Sequence, residues 1–318
     1  MSSESSRDRP ARARSTPPDP YAKLWAGAER RRSAHRRSRR HTVRVTVVSV
    51  IAVVVAGLLA VPLVQHWVPA GTVSWGPALL GARGADRSAT LPADPFTGTP
   101  AERYPRAADG IVLPRPTAIG SWSASDVGMV LRRTRDVLVA ARLDPRMVEQ
   151  GTTARYLALL APATRAMVRQ QVVAGGPGLG YVTRLAPGWT IDAKAGIRVA
   201  GTMSVKAGKD RQLVVTADYV WVYPLKGGTA KPPPVAGSRL VVLRTVETYE
   251  WYPPESITVA DRGLRPGGGT VGQSNMDCTL ADKGLLALPP PGQKGRPAAL
   301  SDPAYSPKTQ PGAIPDTC

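Results

Sequence analysis

The sequence predicts an α+β fold carried behind a membrane anchor. Three observations support this: an uncharged apolar run from Val45 to Val64, apolar residues at helical spacing between residues 121 and 173, and a switch to strict alternation between Ile197 and Trp251. Helices first and an antiparallel meander after them call for a helical layer packed on one face of a sheet.

Met1 to Pro20 is rich in Ser, Arg and Pro, the composition of a disordered start. Asp19-Pro20 is a helix-opening pair, with Asp as N-cap and Pro in the first turn, and Tyr21, Leu24, Trp25 and Ala28 then share one helical face. Residues 1–44 form a basic cytoplasmic segment, with 13 Lys/Arg against 4 Asp/Glu. The remaining 29 basic and 19 acidic residues of the +19 chain are spread over a much longer stretch. The first segment is a local basic patch that suits an anionic lipid surface, each basic residue adding ~1 kcal/mol near it. No nucleic-acid recognition motif accompanies the arginines, which argues against nucleic acid as the partner.

Residues 45–65 match the ~20 apolar residues that a helix needs to cross a hydrocarbon core of ~30 Å. Arg39, Arg40 and Arg44 flank the run on its N-terminal side, whereas no Lys or Arg follows it until Arg83. That asymmetry places the N-terminus in the cytoplasm and the rest outside the cytoplasmic membrane. Trp67 and Trp75 follow the run, where indole rings favour the outer water–lipid boundary. A cleaved secretory signal is the other reading, with Val68-Pro69-Ala70 as its cleavage site. The run is longer than a signal's apolar region, and its basic flank is far longer than a signal's.

Residues 66–120, dense in Pro, Gly and Ala, read as a semi-extended stalk, with Pro114 and Pro116 forbidding a helix at the entry to the next domain. Residues 121–285 form the α+β domain. Ser125 serves as N-cap to a helix bearing Val127, Val130, Leu131, Thr134, Val137, Leu138 and Ala141 on one face, and Asp144-Pro145 halts it. Further helical stretches cover Thr152–Leu160 and the segment from Pro162 to about Val173. The glycine cluster Gly175–Gly180 lacks the Gly-Lys-Ser/Thr ending of a phosphate loop and reads as a turn.

After that turn the period becomes two. Ile197, Val199, Gly201, Met203 and Val205 alternate with polar or small residues, and Lys206–Asp210 makes a hairpin turn. Leu213, Val215, Ala217, Tyr219, Trp221 and Tyr223 then share a face. A Pro- and Gly-rich loop from Pro224 to Gly237 leads to a third strand, Arg239 to Trp251, and Ser256–Ala260 reads as a short edge strand. The Pro-rich tail, 286–318, is irregular, tied down only through Cys318. Cys278 and Cys318 both lie beyond the anchor, in an oxidising compartment, and form a candidate disulfide. It closes a loop of about 40 residues, worth ~3–4 kcal/mol in the chain-entropy model.

The chemistry is bounded mainly by what is missing. His35, His41 and His66 all precede the domain, so it has no imidazole for a catalytic triad, a neutral-pH base or a usual zinc site. Asp218, Glu247 and Glu250 lie on predicted strands. They fit either a carboxylate pair for hydrolysis, needing ~5–10 Å separation, or solvated residues and ion-pair partners of Arg239 or Arg244. Tyr219, Trp221, Glu247, Tyr249 and Trp251 are the candidate cavity lining, between sheet and helices. The expectation is a non-enzymatic binding or assembly module without cofactor or metal, membrane-anchored, with an envelope protein as partner. The alternative is a domain that binds or hydrolyses a small ligand in an aromatic-lined cavity.

The segments Ile111-Val-Leu-Pro, Ala141-Arg-Leu-Asp-Pro-Arg, Leu157-Ala-Leu-Leu-Ala-Pro, Ala217-Asp-Tyr-Val-Trp-Val-Tyr-Pro and Asp277-Cys278 resemble a family of single-pass membrane proteins of actinobacteria to which no catalytic residues are assigned. The resemblance covers about residues 105–285. The order of anchor, helices and curved sheet is similar to the cystatin-like cone of the nuclear transport factor family, a topology shared by the extracytoplasmic domains of Mce-associated proteins and of some secretion-channel subunits. It implies that fold and no catalytic residue.

Overall fold

The computed structural model describes residues 92–173, 178–228, 230, 232–293 and 302–314. The basic segment, the apolar run with its flanks Arg39, Arg40, Arg44, Trp67 and Trp75, and Cys318 lie outside the described residues. Among the described residues no helix is long and apolar enough to cross a membrane.

Helix α1 spans Ala124–Arg142. Its N-cap is Ser123 rather than Ser125, because Asp126 stands three residues beyond it. The Ser123 hydroxyl accepts from Asp126 N–H at 3.2 Å, and Asp126 accepts in return from Ser123 N–H at 3.1 Å. This reciprocal cap satisfies two otherwise orphaned donors. The Val127–Ala141 stripe faces the core as its spacing requires. Asp144 ends α1 and caps a single turn, α2 (Pro145–Val148). Then come α3 (Ala154–Ala158), shorter than its spacing suggests, and α4 (Pro162–Val173).

The sheet contains β1 (Trp189–Ile191), β2 (Arg198–Ala207), β3 (Leu213–Gly227), β4 (Leu240–Trp251) and β5 (Arg265–Ser274), all antiparallel. The long strand β3 organises it. On one edge β2 pairs with Leu213–Val222 and β1 with Leu225–Gly227; on the other edge lies β4, which in turn pairs with β5. Residues Pro224–Gly227 therefore continue β3, and the Pro-rich loop begins later than its composition suggests. Two short α turns, α5 (Cys278–Ala281) and α6 (Asp302–Tyr305), follow the sheet.

Strand β5 replaces the predicted edge strand at Ser256–Ala260. That segment makes two 3-10 turns, Pro254–Ser256 and Val259–Asp261. The Thr258 hydroxyl donates to the Asp261 carboxylate at 2.8 Å, a local bond that competes with strand pairing. β5 itself carries Gly267, Gly268, Gly269 and Gly272, so no side-chain alternation announces it. Pairing shifts by one residue between Thr248 and Tyr249, opposite Gly267. A Cβ at Gly267 would meet the Thr248 hydroxyl at 2.9 Å, so glycine is the residue that fits this bulge.

The two faces of the sheet are covered differently. Leu213, Val215, Ala217, Tyr219, Trp221 and Tyr223 meet α1 and the other helices in the main core, as alternation requires. On the back, Val220, Val222, Leu240 and Val242 pack with Phe96, Ala101 and Tyr305. Part of the segment expected to be a stalk thus belongs to the domain, since Phe96, Ala101 and Ile111 are buried. So does part of the tail. Tyr305 is buried, its carbonyl accepts from the Tyr104 hydroxyl, and the Pro307 carbonyl accepts from Arg244.

Gly201 in β2 faces Tyr219, and a Cβ there would lie 2.1 Å from the Asp218 carbonyl oxygen and 2.6 Å from the Tyr219 ring. Gly201→Ala is expected to cost about 1–3 kcal/mol by overpacking. Gly180→Ala, with nothing within 4 Å of the new methyl, is expected to stay within ~0.5 kcal/mol of the parent. Urea midpoints of the two variants check this, and equal midpoints would contradict the β2–β3 contact.

Candidate functional site

The polar centre of the domain lies between α1 and the inner face of β4. Arg142 follows Leu138 by four residues, so it extends the buried stripe of α1 and its guanidinium enters the core. Glu247 alternates with Leu243, Thr245 and Tyr249 on the inner face of β4, opposite Ala217 of β3. The two meet at 2.7 Å with side-chain exposures of 0% and 5%.

Both carboxylate oxygens of Glu247 are held. Oε1 accepts from Arg142, and Oε2 accepts from the Tyr249 hydroxyl at 2.6 Å. Arg142 Nη1 donates to Thr183 Oγ1 at 3.2 Å, and Thr183 shares a 2.8 Å hydrogen bond with the Tyr223 hydroxyl. Tyr223 also reaches the Arg142 carbonyl at 3.3 Å, so the last turn of α1 is tied to β3 through one ring. A buried ion pair persists only where further hydrogen bonds support its members, and this set supplies them for both Glu247 oxygens and both Arg142 Nη groups, leaving Arg142 Nε without a partner.

The electrostatics follow the same geometry. Burial pulls the Arg142 value down, but the charge and hydrogen bond of Glu247, with Tyr223 and Tyr249 nearby, more than offset it and leave it raised. Burial pushes the Tyr249 phenol well above its ordinary value, and the adjacent Glu247 charge adds to the shift. Tyr156 and Tyr223 are raised by burial as well, with Arg142 drawing each partly back. Tyr219 is pushed up to about 12, again chiefly by burial.

The three strand carboxylates do not converge. Asp218 points to the back of the sheet, where it pairs with the fully buried Arg244. That guanidinium also donates to the Tyr219 and Thr245 carbonyls at 3.2 and 2.9 Å. Glu247 lies on the inner face, held by Arg142 rather than by Arg239 or Arg244. Glu250 pairs with Val214, four residues along β3 from Asp218, a separation of about 14 Å at ~3.4 Å per residue. This exceeds the carboxylate spacing of either hydrolytic geometry, ~5–10 Å. Among the described residues no three His, Cys, Asp or Glu gather in a way that could hold a metal ion.

Of the candidate cavity residues, Tyr219, Trp221, Glu247 and Tyr249 are buried on the inner face and Trp251 is half-buried beside them. They meet protein partners. The Tyr219 and Trp221 rings lie 5.5 Å apart, and the Trp221 indole donates to Thr245 at 3.0 Å. Cys278 is half-buried at the first position of α5, and no disulfide is found among the described residues. Arg142, Thr183 and Tyr223 complete the network without having been marked by any motif, and Tyr156 is buried close enough to feel its charges. The available signal was periodicity, which puts Arg142 in register with the apolar stripe of α1 and Glu247 in register with Leu243 and Tyr249.

Compared with known proteins, the chain matches no protein-family model, and no curated protein or solved structure resembles it at a significant level.

Removing one member of the ion pair leaves the other charged in the core. Glu247→Leu is expected to cost about 3–5 kcal/mol, and adding Arg142→Met should return much of that loss. Urea unfolding of the single and double variants tests the pair, and a double variant no more stable than Glu247→Leu would refute it. The raised phenols set the alkaline limit. The folded chain keeps protons that an unfolded tyrosine releases near pH ~10, so stability holds below that pH and falls as pH rises past it. Tyr156, Tyr223 and Tyr249 should ionise together with unfolding in an ultraviolet phenolate titration followed alongside near-ultraviolet circular dichroism. A complete phenolate signal from an intact fold would contradict their burial.

Proposed function

We propose that the protein is a single-pass, membrane-anchored module. Its N-terminus is cytoplasmic, and its α+β domain stands outside the cytoplasmic membrane, where it binds a protein of an envelope complex. The observation that carries this is the uncharged run Val45–Val64, with Arg39, Arg40 and Arg44 on one side and no Lys or Arg on the other until Arg83. The interior of the domain supports a binding or assembly role over catalysis. Its one inward-facing strand carboxylate has both oxygens engaged, and the aromatic side chains around it pack as core.

The helical layer on one face of an antiparallel sheet, with a bulge beside Gly267, is consistent with a cystatin-like cone of the nuclear transport factor type. The resemblance to the actinobacterial single-pass proteins points the same way. In this reading the surface contacts a partner and the interior is structural.

Two measurements test the proposal. Protease added outside spheroplasts should remove the C-terminal domain and spare the N-terminal segment; the reverse pattern overturns the topology. Crosslinking of the intact protein in its native envelope, followed by pull-down, should recover a defined protein neighbour. Recovery of lipid alone would remove the assembly role.

A further inference from the structure

We propose that the outer side of the helical layer carries a binding site for a phosphate-ester anion, built on Arg133 of α1 and Arg165 of α4. The inference does not depend on the topology proposed above. Both guanidinium groups are fixed by the carbonyls that end α3. Arg133 donates from Nε to the Leu159 carbonyl at 3.1 Å and from Nη2 to the Ala158 carbonyl at 3.4 Å. Arg165 donates from Nε and Nη2 to the Leu160 carbonyl at 3.1 and 3.0 Å, and from Nη2 to the same Ala158 carbonyl at 3.3 Å. Because one oxygen accepts from both Nη2 atoms, at 3.4 and 3.3 Å, the two can be no more than 6.7 Å apart.

Two full positive charges are thus gathered by neutral carbonyls. Even a long helix end supplies only about half a negative charge, so the pair remains electropositive. Among the described residues neither guanidinium forms an ion pair with a carboxylate, and neither Nη1 group meets a protein acceptor. Asp136, one turn along α1, is exposed and pairs with neither. Segments α3 and α4 contain no Asp or Glu, and Arg169, one turn along α4 from Arg165, is exposed. Carbonyl caps are an ordinary use of arginine, but they do not require two guanidinium groups on one oxygen. Their effect here is to hold two guanidinium groups in place before any ligand arrives, with the Nε–Nη2 edge of each spent on carbonyls and the Nη1 groups left to donate. Less side-chain entropy is then lost on binding, and a doubly charged phosphate suits such a pair better than a single carboxylate does.

Residue-resolved phenylglyoxal labelling of the full chain tests the site in two arms. In zwitterionic detergent, inorganic pyrophosphate is the soluble probe. In nanodiscs, phosphatidylglycerol is compared with phosphatidylcholine. Protection of Arg133 and Arg165 together, by roughly tenfold in labelling rate, supports the site. Protection by pyrophosphate identifies a soluble phosphate ester, and protection only in phosphatidylglycerol identifies a lipid headgroup. No protection in either arm overturns the proposal in the unaltered protein, whatever any variant does. Arg165→Lys keeps the charge and loses both the carbonyl anchoring and the Nη1 donors, so it should abolish most of the protection at Arg133 while near-ultraviolet circular dichroism stays unchanged. Full protection of Arg133 in that variant also overturns the proposal.

Discussion

Arg142 and Glu247 sit in the core at a place where neither tolerates being alone. Moving either charge out of water costs several kcal/mol, so the pair persists only while helix and strand hold it in contact. That requirement fixes how α1 lies on the sheet. Arg142 closes the last turn of the helix, Glu247 sits mid-strand on β4, and Tyr223 of β3 reaches back to the Arg142 carbonyl. A helix packed by apolar side chains alone could slide or rotate at low cost. Here a displacement of one turn would strand a guanidinium and a carboxylate and break the Tyr223 hydrogen bond to the helix.

The inner and outer faces of the sheet solve the same problem in different ways. Inside, the charge is neutralised by a second charge and a ring of hydroxyl groups. On the back, Arg244 is just as buried, yet its partners are Asp218 at the margin and the carbonyls of Tyr219, Thr245 and Pro307. The Pro307 carbonyl comes from the tail, so a segment with little regular structure still has a specific place. Pro-rich chain suits this task, since it adds few amide donors that would need partners of their own.

Most of the architecture was legible because periodicity is a burial signal. Val127 to Ala141 repeat at helical spacing and face the core, while Leu213 to Tyr223 alternate and share the inner face. What escaped was structure without side-chain contrast. β5 is built on glycines, β1 has three residues, and the coverage of the back sheet depends on single anchors such as Phe96 and Tyr305 in Pro-rich surroundings. The ion pair was half legible: Glu247 stood out as a strand carboxylate, but its partner is 105 residues away. Arg142 looked like an ordinary basic residue at a helix end. Read in register with Leu138, it is a charge on an apolar face, and such a charge needs a partner in the core.

The Tyr104–Tyr305 contact joins positions 201 residues apart, and it has a bearing on how the chain matures. Closing so long a loop is entropically costly, and contacts of high sequence separation form slowly. The strip of Val220, Val222, Leu240 and Val242 stays without part of its cover until Tyr305 has been synthesised. A nascent or clipped chain that stops before Tyr305 therefore displays an adhesive apolar strip and an Arg244 guanidinium that lacks its Pro307 carbonyl.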